Sequence, residues 1–265
     1  MAVRWWQSRY GASLLREVAI VVALLYLYRL GRTFGRDEGD RALANARHVL
    51  GFEGSLGIDT ERSWQQLALQ HPGVIRLLNR YYASVHFSAS IAFLVFVYVW
   101  APRLWPRVRF LFVTVTATAL VIHLAYPLAP PRMLDGYVDT IARWGPAIYA
   151  RSDVASVANQ YAAMPSLHFG WAVLVAYGVV AALRTPGRWL VVLHPLVTLA
   201  AIVLTANHYW LDAIVALGLI GAAAAVEVGR QRPAGAEAAS AAASSGRRPP
   251  PDPPGPEGEL VPDTR

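Results

Sequence analysis

Long blocks of apolar residues alternate with shorter polar stretches along most of this chain. Each block approaches the ~20 residues that a helix needs to cross ~30 Å of hydrocarbon, and helices are the open-ended structures that satisfy their own backbone there. The blocks are Leu14–Leu30, Leu77–Trp100, Phe110–Leu128, Pro165–Leu183, Trp189–Ala206 and Tyr209–Val228. The sequence therefore predicts an all-α fold, a polytopic membrane bundle of about six transmembrane helices.

The polar segment between the first two blocks, about residues 37–75, follows a different pattern. Leu43, Ala46, Val49 and Leu50 recur at helical spacing among charged residues. This spacing is typical of an amphipathic helix. Such a helix can lie in the headgroup plane or pack on the bundle, and the sequence favours neither arrangement.

The last part of the chain, residues 233–265, consists largely of Ala, Ser, Pro and Gly. It has too few large apolar residues to bury a core, so we expect a disordered tail. The predicted organisation is a cytoplasmic N-terminus at residues 1–13, a six-span membrane domain at residues 14–232, and this tail.

The positions of arginine predict the orientation, because cytoplasmic loops carry an excess of basic residues. Arginines accumulate before the first block, between the second and third, between the fourth and fifth, and after the sixth. In a six-span arrangement these four places share one side, which we assign to the cytoplasm together with the tail. The loop at residues 129–163 then lies outside. We expect a multi-pass protein of the plasma membrane whose active site faces outward.

The amino-acid composition narrows the class of protein further. Charged residues make up 15% of the chain and hydrophobic residues 55%, whereas about a quarter of a soluble domain is charged. All 24 basic residues are Arg, which indicates GC-rich codon usage and a bacterial source. The net charge of +7 comes without a basic stripe and interleaved aromatic residues, so nucleic acid is not an expected partner. The absence of Cys excludes thiolate chemistry, and we expect neither a cofactor nor a metal.

Several histidines fall inside the apolar blocks, where ionisable side chains are costly and therefore candidates for function. Four of them are expected within two or three turns of the outer face, at ~1.5 Å rise per residue. These four are His86, His123, His168 and His208. His194 lies deeper and beside Pro195, and we interpret its ring as bonding a backbone carbonyl that the proline frees.

The most informative motif is HYWLD, from His208 to Asp212. Four residues along a helix place two side chains on one face. The Asp212 carboxylate can then accept one ring N–H of His208, fix its tautomer and leave the other nitrogen as nucleophile or base. A structural polar pair or a metal site would use the same spacing, so the motif gains its weight from the motifs around it.

Two further motifs supply the remaining chemistry. In AMPSLHFGW, Pro165 suits the first turn of a helix, whose free N–H groups would form an anion site with the Ser166 hydroxyl. His168 lies beside this site as a proton donor. In YPLAPPRM, Arg132 is a planar cation suited to phosphate oxygens, with snorkelling to headgroups as the alternative. Together these residues indicate phosphoryl transfer through a covalent intermediate.

These motifs resemble those of the type 2 phosphatidic acid phosphatase superfamily, which in outline are KxxxxxxRP, PSGH and SRxxxxxHxxxD. Pro165–His168 matches the second motif, with Leu167 in place of Gly, and His208 and Asp212 match the end of the third. The resemblance implies that His208 forms a phosphohistidine, that Asp212 orients it, and that His168 protonates the leaving alkoxide. The PPRM and PSLHFGW forms are more similar to the branch that includes inositol phosphorylceramide synthases, which move a phosphoinositol headgroup onto a lipid alcohol.

The sequence also departs from the family pattern. The SR pair of the third motif would fall at Ala201 and Ile202, and the chain has no lysine for the first motif. One stripe of the second block could replace the missing cations together with His123. The additional candidates for substrate binding are thus Asn79, Tyr82, His86 and His123. A polar stripe that joins two helices is the alternative for these residues.

Two enzymatic functions and one other class stay open at this point. If water resolves the intermediate, the protein is a lipid phosphate phosphatase; if an alcohol does, it is a headgroup transferase. The expected substrate is a phospholipid or an isoprenoid- or sphingolipid-type phosphate. A transporter or flippase could use the same His and Arg residues for binding, although only Pro195 interrupts a span and no repeat is present. A metalloenzyme is disfavoured because no HExxH-type pair occurs.

Overall fold

The structure, a computed structural model, describes residues 14–23, 26, 38–145 and 160–231. The predicted N-terminal segment 1–13 and the predicted tail at 233–265 lie outside these residues. The chain separates into two compact units, Met1–Glu227 and Val228–Arg265. All contacts described below belong to the first unit.

The described residues are almost entirely helical and contain no strand, which confirms the all-α prediction. Residues 14–23 form a helix within the first predicted block. The helices that follow are α1 (Gly39–Leu56), α2 (Glu61–Leu69), α3 (Pro72–Trp100), α4 (Trp105–Ala125), α5 (Thr140–Trp144), α6 (Leu167–Ala182), α7 (Pro186–Leu204) and α8 (Trp210–Gln231).

Four of these helices are long and apolar enough to cross a membrane, namely α3, α4, α7 and α8. The apolar helix α6 has 16 residues and is shorter than the usual span. These five helices match the second to sixth predicted blocks, and the first block is described only in part. The chain is therefore a helical membrane protein.

The helix boundaries differ from the predicted ones in two instructive places. Helix α6 begins at Leu167 with Ser166 as its N-cap, so the expectation that Pro165 occupies the first turn is wrong. The Met164–Pro165 peptide bond is cis. Helix α4 ends at Ala125, three residues before the end of the predicted block, because Pro127 removes the backbone donor needed to continue it.

The contacts between α3, α4 and α6 are apolar and closely packed. Phe93, Phe112, Val115 and Leu174 form the centre of this cluster. Gly178 of α6 lies against the Phe93 ring, where an added Cβ would come within 2.2 Å of a ring atom. Small residues at such a contact allow two membrane helices to approach closely, which holds α6 in place beside α3.

A second region, the polar layer, consists of α1, α2 and the loop at residues 126–139. Ala42, Ala46 and Val49 of α1 are buried against Leu128, Ala129 and Tyr209. The amphipathic segment thus packs on the loop and on the chain that leads into α8. Hydrogen bonds add to this apolar contact: Asn45 donates to the Pro127 carbonyl at 2.8 Å, and the Ala129 N–H donates to the Ala42 carbonyl at 3.2 Å.

Candidate active site

The turn between α7 and α8 brings the HYWLD motif to the junction with the polar layer. After Leu204 the backbone reverses through Ala206, whose φ of 54° lies in the left-handed region. The N–H groups of Asn207 and His208 both donate to the Ile202 carbonyl, at 2.8 and 3.1 Å. These bonds satisfy the end of α7 and leave His208 two residues before the first residue of α8.

His208 and Asp212 are in contact, although only Asp212 lies within the helix. The Asp212 carboxylate accepts the Tyr209 N–H at 3.0 Å, as the acidic residue of a capping box does at a helix start. The same oxygen, Oδ2, lies 3.0 Å from His208 Nδ1. Both side chains are buried, Asp212 completely.

The tautomer of His208 follows from a second acceptor. His208 Nδ1 lies 2.8 Å from the Ala163 carbonyl oxygen, which can only accept, so the proton resides on Nδ1. Within the described part of the chain no hydrogen bond engages Nε2. The neutral ring therefore presents Nε2 with a free electron pair.

The PSLH segment approaches the same point from α6. The Ser166 N–H donates to the Asp212 carbonyl at 3.1 Å, and the Ser166 hydroxyl accepts the Phe169 N–H at 3.3 Å. The hydroxyl thus caps the helix and keeps one hydrogen to donate. His123 donates from Nε2 to the Pro165 carbonyl at 3.2 Å, so its ring supports this segment from α4.

His168 belongs to an aromatic wall of the site, which we define as Tyr82, His86 and His168. The His168 ring stacks on Tyr82 with centroids 4.1 Å apart and an interplanar angle of 22°. His86 lies on the same side with its centroid 4.8 Å from that of His168. The His168 and His208 rings are neighbours, with centroids 6.0 Å apart.

A hydrogen-bonded wall faces these rings and consists of Arg132, Asn207, His208 and Asp212. Arg132 donates from Nη1 to the Asn207 amide oxygen at 2.8 Å, and its backbone N–H donates to the Ala206 carbonyl at 2.9 Å. Its Nε lies 3.6 Å from the Asp139 carboxylate. The guanidinium is thus fixed beside the residue that precedes His208.

Two predicted positions have other neighbours. Asn79 is buried and donates to the Thr140 carbonyl at 2.8 Å, so it joins α3 to α5. The interpretation of His194 is wrong, because its Nδ1 lies 2.5 Å from the Tyr81 hydroxyl rather than bonding a carbonyl freed by Pro195.

Tyr81 begins a π-helical turn, Tyr81–Val85, which also carries Tyr82. The Tyr82 ring therefore reaches His168 from a π-helical turn, a feature that is frequent at functional sites.

Sequence reasoning missed Asn207 and the buried acids Glu53 and Glu61. Asn207 has no motif of its own, and its position beside His208 was the only available signal. Glu53 lies four residues after Val49, on the apolar face of α1, where a carboxylate needs a partner. The partner is the start of α8, because Glu53 accepts the Leu211 N–H at 2.7 Å and Glu61 accepts the Trp210 N–H at 3.0 Å.

Among the residues that the structure describes, no group of three or more His, Asp or Glu side chains is arranged to hold a metal ion.

The model of one protein family, described as the PAP2 superfamily, matches residues 47–226. This range covers about two thirds of the chain and every residue of the two walls. Neither a curated protein nor a solved structure matches the chain.

Proposed function

Since the chain belongs to the PAP2 superfamily, we propose that it transfers a phosphoryl group from a lipid phosphate through a phosphohistidine on His208. Membership of this superfamily supports a phosphatase or phosphotransferase type of function at the coarser level. The observation that carries the finer proposal is the double use of His208 Nδ1, which donates to the Ala163 carbonyl and lies against Asp212. It leaves Nε2 as the nucleophile, and the buried carboxylate stabilises the cationic ring that forms on attack.

The proposed first step forms a bond between His208 Nε2 and phosphorus while the bond from phosphorus to the leaving oxygen breaks. His168 gives its proton to that oxygen, which departs as an alcohol. In the second step a water or alcohol attacks phosphorus, His168 takes the proton, and the bond between nitrogen and phosphorus breaks. Arg132 and the Ser166 hydroxyl bind the phosphoryl oxygens in both steps.

The charge of the site supports a phosphodiester substrate. Among the described residues, Arg132 supplies the guanidinium of the hydrogen-bonded wall, and Asp139 offsets part of its charge. Ile202, at the position of the family's arginine, is buried in an apolar cluster with Phe169. A phosphodiester carries one negative charge, whereas a phosphomonoester carries about 1.5 to 2 near neutral pH. This difference favours headgroup transfer, as in the branch that includes inositol phosphorylceramide synthases, over hydrolysis of a phosphomonoester.

The test uses purified protein in mixed micelles with phosphatidylinositol or phosphatidic acid, with and without a long-chain lipid alcohol. We expect faster turnover of the diester and a new phospholipid when the alcohol is present. Acid quenching with ³²P-labelled substrate should trap label on the protein, and His208→Ala should not be labelled. Binding of these lipids without any phosphoryl product would instead support a transporter.

The same preparation tests the role of metals, because every charge in the scheme comes from a side chain. EDTA should leave the turnover unchanged, and vanadate, which mimics five-coordinate phosphorus, should inhibit it. Complete loss with EDTA that one divalent ion restores would support a metalloenzyme and contradict the scheme.

We also propose that the site faces the outside of the plasma membrane, on the basis of the arginine distribution. The chain has no Cys, so single cysteines report topology directly. Asp135 and Gly187 are exposed, and an added Cβ at Gly187 meets nothing within 4 Å. In intact cells a membrane-impermeant maleimide should label Asp135→Cys and leave Gly187→Cys unlabelled. The reverse pattern would place the site in the cytoplasm.

A further inference from the structure

Two carboxyl groups from different helices of the polar layer meet at the start of α8. Glu53 of α1 and Glu61 of α2 are both completely buried. One oxygen of each accepts a backbone N–H, from Leu211 and Trp210 respectively. The remaining oxygen of each, Oε2, is buried and has no hydrogen-bond donor among the described residues.

The two carboxyl groups lie side by side, because they accept the N–H groups of two consecutive residues, Leu211 and Trp210. Two ionised carboxylates would repel at this distance in a medium of low dielectric, whereas one shared proton would satisfy both orphaned oxygens. Burial and this contact with Glu61 raise the pKa of Glu53 from 4.5 to about 9. The pair therefore holds a proton at neutral pH.

The N–H groups that this pair binds belong to residues between His208 and Asp212 in the sequence. Trp210 and Leu211 lie between His208 and Asp212 and are the first two residues of α8. Neither Glu contacts the ring of His208. We propose that Glu53 and Glu61 are positioning residues, which share one proton and fix the start of α8 so that His208 and Asp212 keep their mutual geometry.

This inference rests on the proposed function only where it is tested by measuring turnover. Between pH 4.5 and about 9 the folded pair binds one proton more than the unfolded chain, so its contribution to stability falls as pH rises through that window. Above about pH 9 Glu53 loses the shared proton, and the turnover number should fall while KM changes little. The other ionisable groups that interact electrostatically with this pair are Asp212, Tyr137 and Tyr209, and Asp59 and Arg62 act in turn on Tyr137.

Glutamine variants separate a shared proton from simple packing. In Glu53→Gln the amide oxygen can still accept the Leu211 N–H, and its NH₂ group can donate to Glu61 in place of the proton. Glu61→Gln is equivalent. Each single Gln variant should keep near wild-type turnover with phosphatidylinositol and lose the alkaline decline, because a second ionisation is no longer available.

The double variant Glu53→Gln/Glu61→Gln directs two NH₂ groups at each other, and Glu53→Ala leaves the Leu211 N–H without an acceptor. Both should lower the turnover number about 10- to 100-fold, as expected when a hydrogen bond to a charged or shared-proton group is lost. Glu38→Gln is the matched control, because Glu38 is half-exposed just before α1 and pairs with Arg41. It should change neither the rate nor the pH profile.

Hydrogen–deuterium exchange of the peptide covering residues 205–214 gives a readout that does not depend on activity. We expect wild-type protection in both single Gln variants and faster exchange in Glu53→Ala and in the double variant. Unchanged exchange in Glu53→Ala, or single Gln variants as impaired as the double one, would overturn the inference. If the wild type showed no phosphoryl transfer at all, the proposed function would fail while the exchange data still decided this proposal.

Discussion

The two walls of the site are held by different forces. In the hydrogen-bonded wall, directional hydrogen bonds to backbone groups or to an amide fix Arg132, His208 and Asp212. The shortest such bond of each residue has a donor–acceptor distance of 2.8 to 3.0 Å. In the aromatic wall, the His168 ring stacks on Tyr82 with centroids 4.1 Å apart and has the His86 ring as a second neighbour. Ring stacking tolerates small displacements, whereas hydrogen bonds weaken steeply with angle. The first wall is therefore suited to constant chemistry and the second to substrates of varied shape.

The largest expected effect lies in the hydrogen-bonded wall. His208→Ala removes the proposed nucleophile and should lower turnover of every substrate by about 10⁴-fold or more. Asp212→Asn keeps the shape and the Ala163 carbonyl still fixes the tautomer, so its loss should come from the missing charge and be smaller, on the order of 10²- to 10⁴-fold. Steady-state rates with a lipid and an aryl substrate check both variants.

His71→Ala is the control for these two variants, because His71 is exposed at the start of α3. If His208→Ala kept substantial activity with any substrate, the hydrogen-bonded wall would not carry the chemistry, and the contrast between the walls would be wrong.

The next effect should depend on the substrate. His168→Ala removes the proton donor, which contributes about 10²- to 10⁴-fold when the leaving group is a lipid alkoxide. A p-nitrophenyl phosphodiester leaves as a weak base and should be partly spared. The ratio of the two rates measures this difference, with His48→Ala, an exposed residue of α1, as the control. Equal losses for both substrates would assign His168 to structure rather than to proton transfer.

A smaller effect is expected from Tyr82, which supports His168 by stacking. Tyr82→Phe keeps the ring, whereas Tyr82→Leu removes an aromatic contact of about 0.5–1.5 kcal/mol, or roughly 2- to 10-fold in rate. We expect the Leu variant to change KM among lipids with different acyl chains more than it changes the aryl diester rate. Tyr177→Leu, elsewhere on α6, is the matched control. An equal loss in Tyr82→Phe would show that the hydroxyl matters more than the stacking.

The smallest predicted change concerns Asp139, which lies 3.6 Å from Arg132 and also caps α5. Asp139→Asn keeps an oxygen for the Ala142 N–H and removes the negative charge. The freed guanidinium should raise the rate with phosphatidic acid relative to phosphatidylinositol by about 2- to 5-fold, the range of a half-exposed ion pair. An unchanged ratio of these rates would weaken the argument that the charge of the site selects a diester.

The sequence predicted the membrane helices well, because a long apolar block has few alternatives to a span. It also identified His208, His168, Asp212 and Arg132, which the structure brings to one place. Their catalytic roles stay predictions. The sequence placed His208 just before the last apolar block, but it could not show the bend that precedes it, since this bend depends on the left-handed Ala206. It could not reveal the pairing of Glu53 with Leu211, because the two residues are 158 positions apart and no local pattern links them.

That same separation has a consequence for how the protein is made. Glu53 and Glu61 leave the ribosome roughly 8–30 s before Leu211 and Trp210, at synthesis rates of about 5–20 residues per second. During this interval the acidic pair lacks the N–H groups that it binds in the finished protein. The polar layer can close only after α8 has been inserted. A chain that stops short of α8 would therefore leave Glu53 and Glu61 without the two N–H groups that they bind in the finished protein.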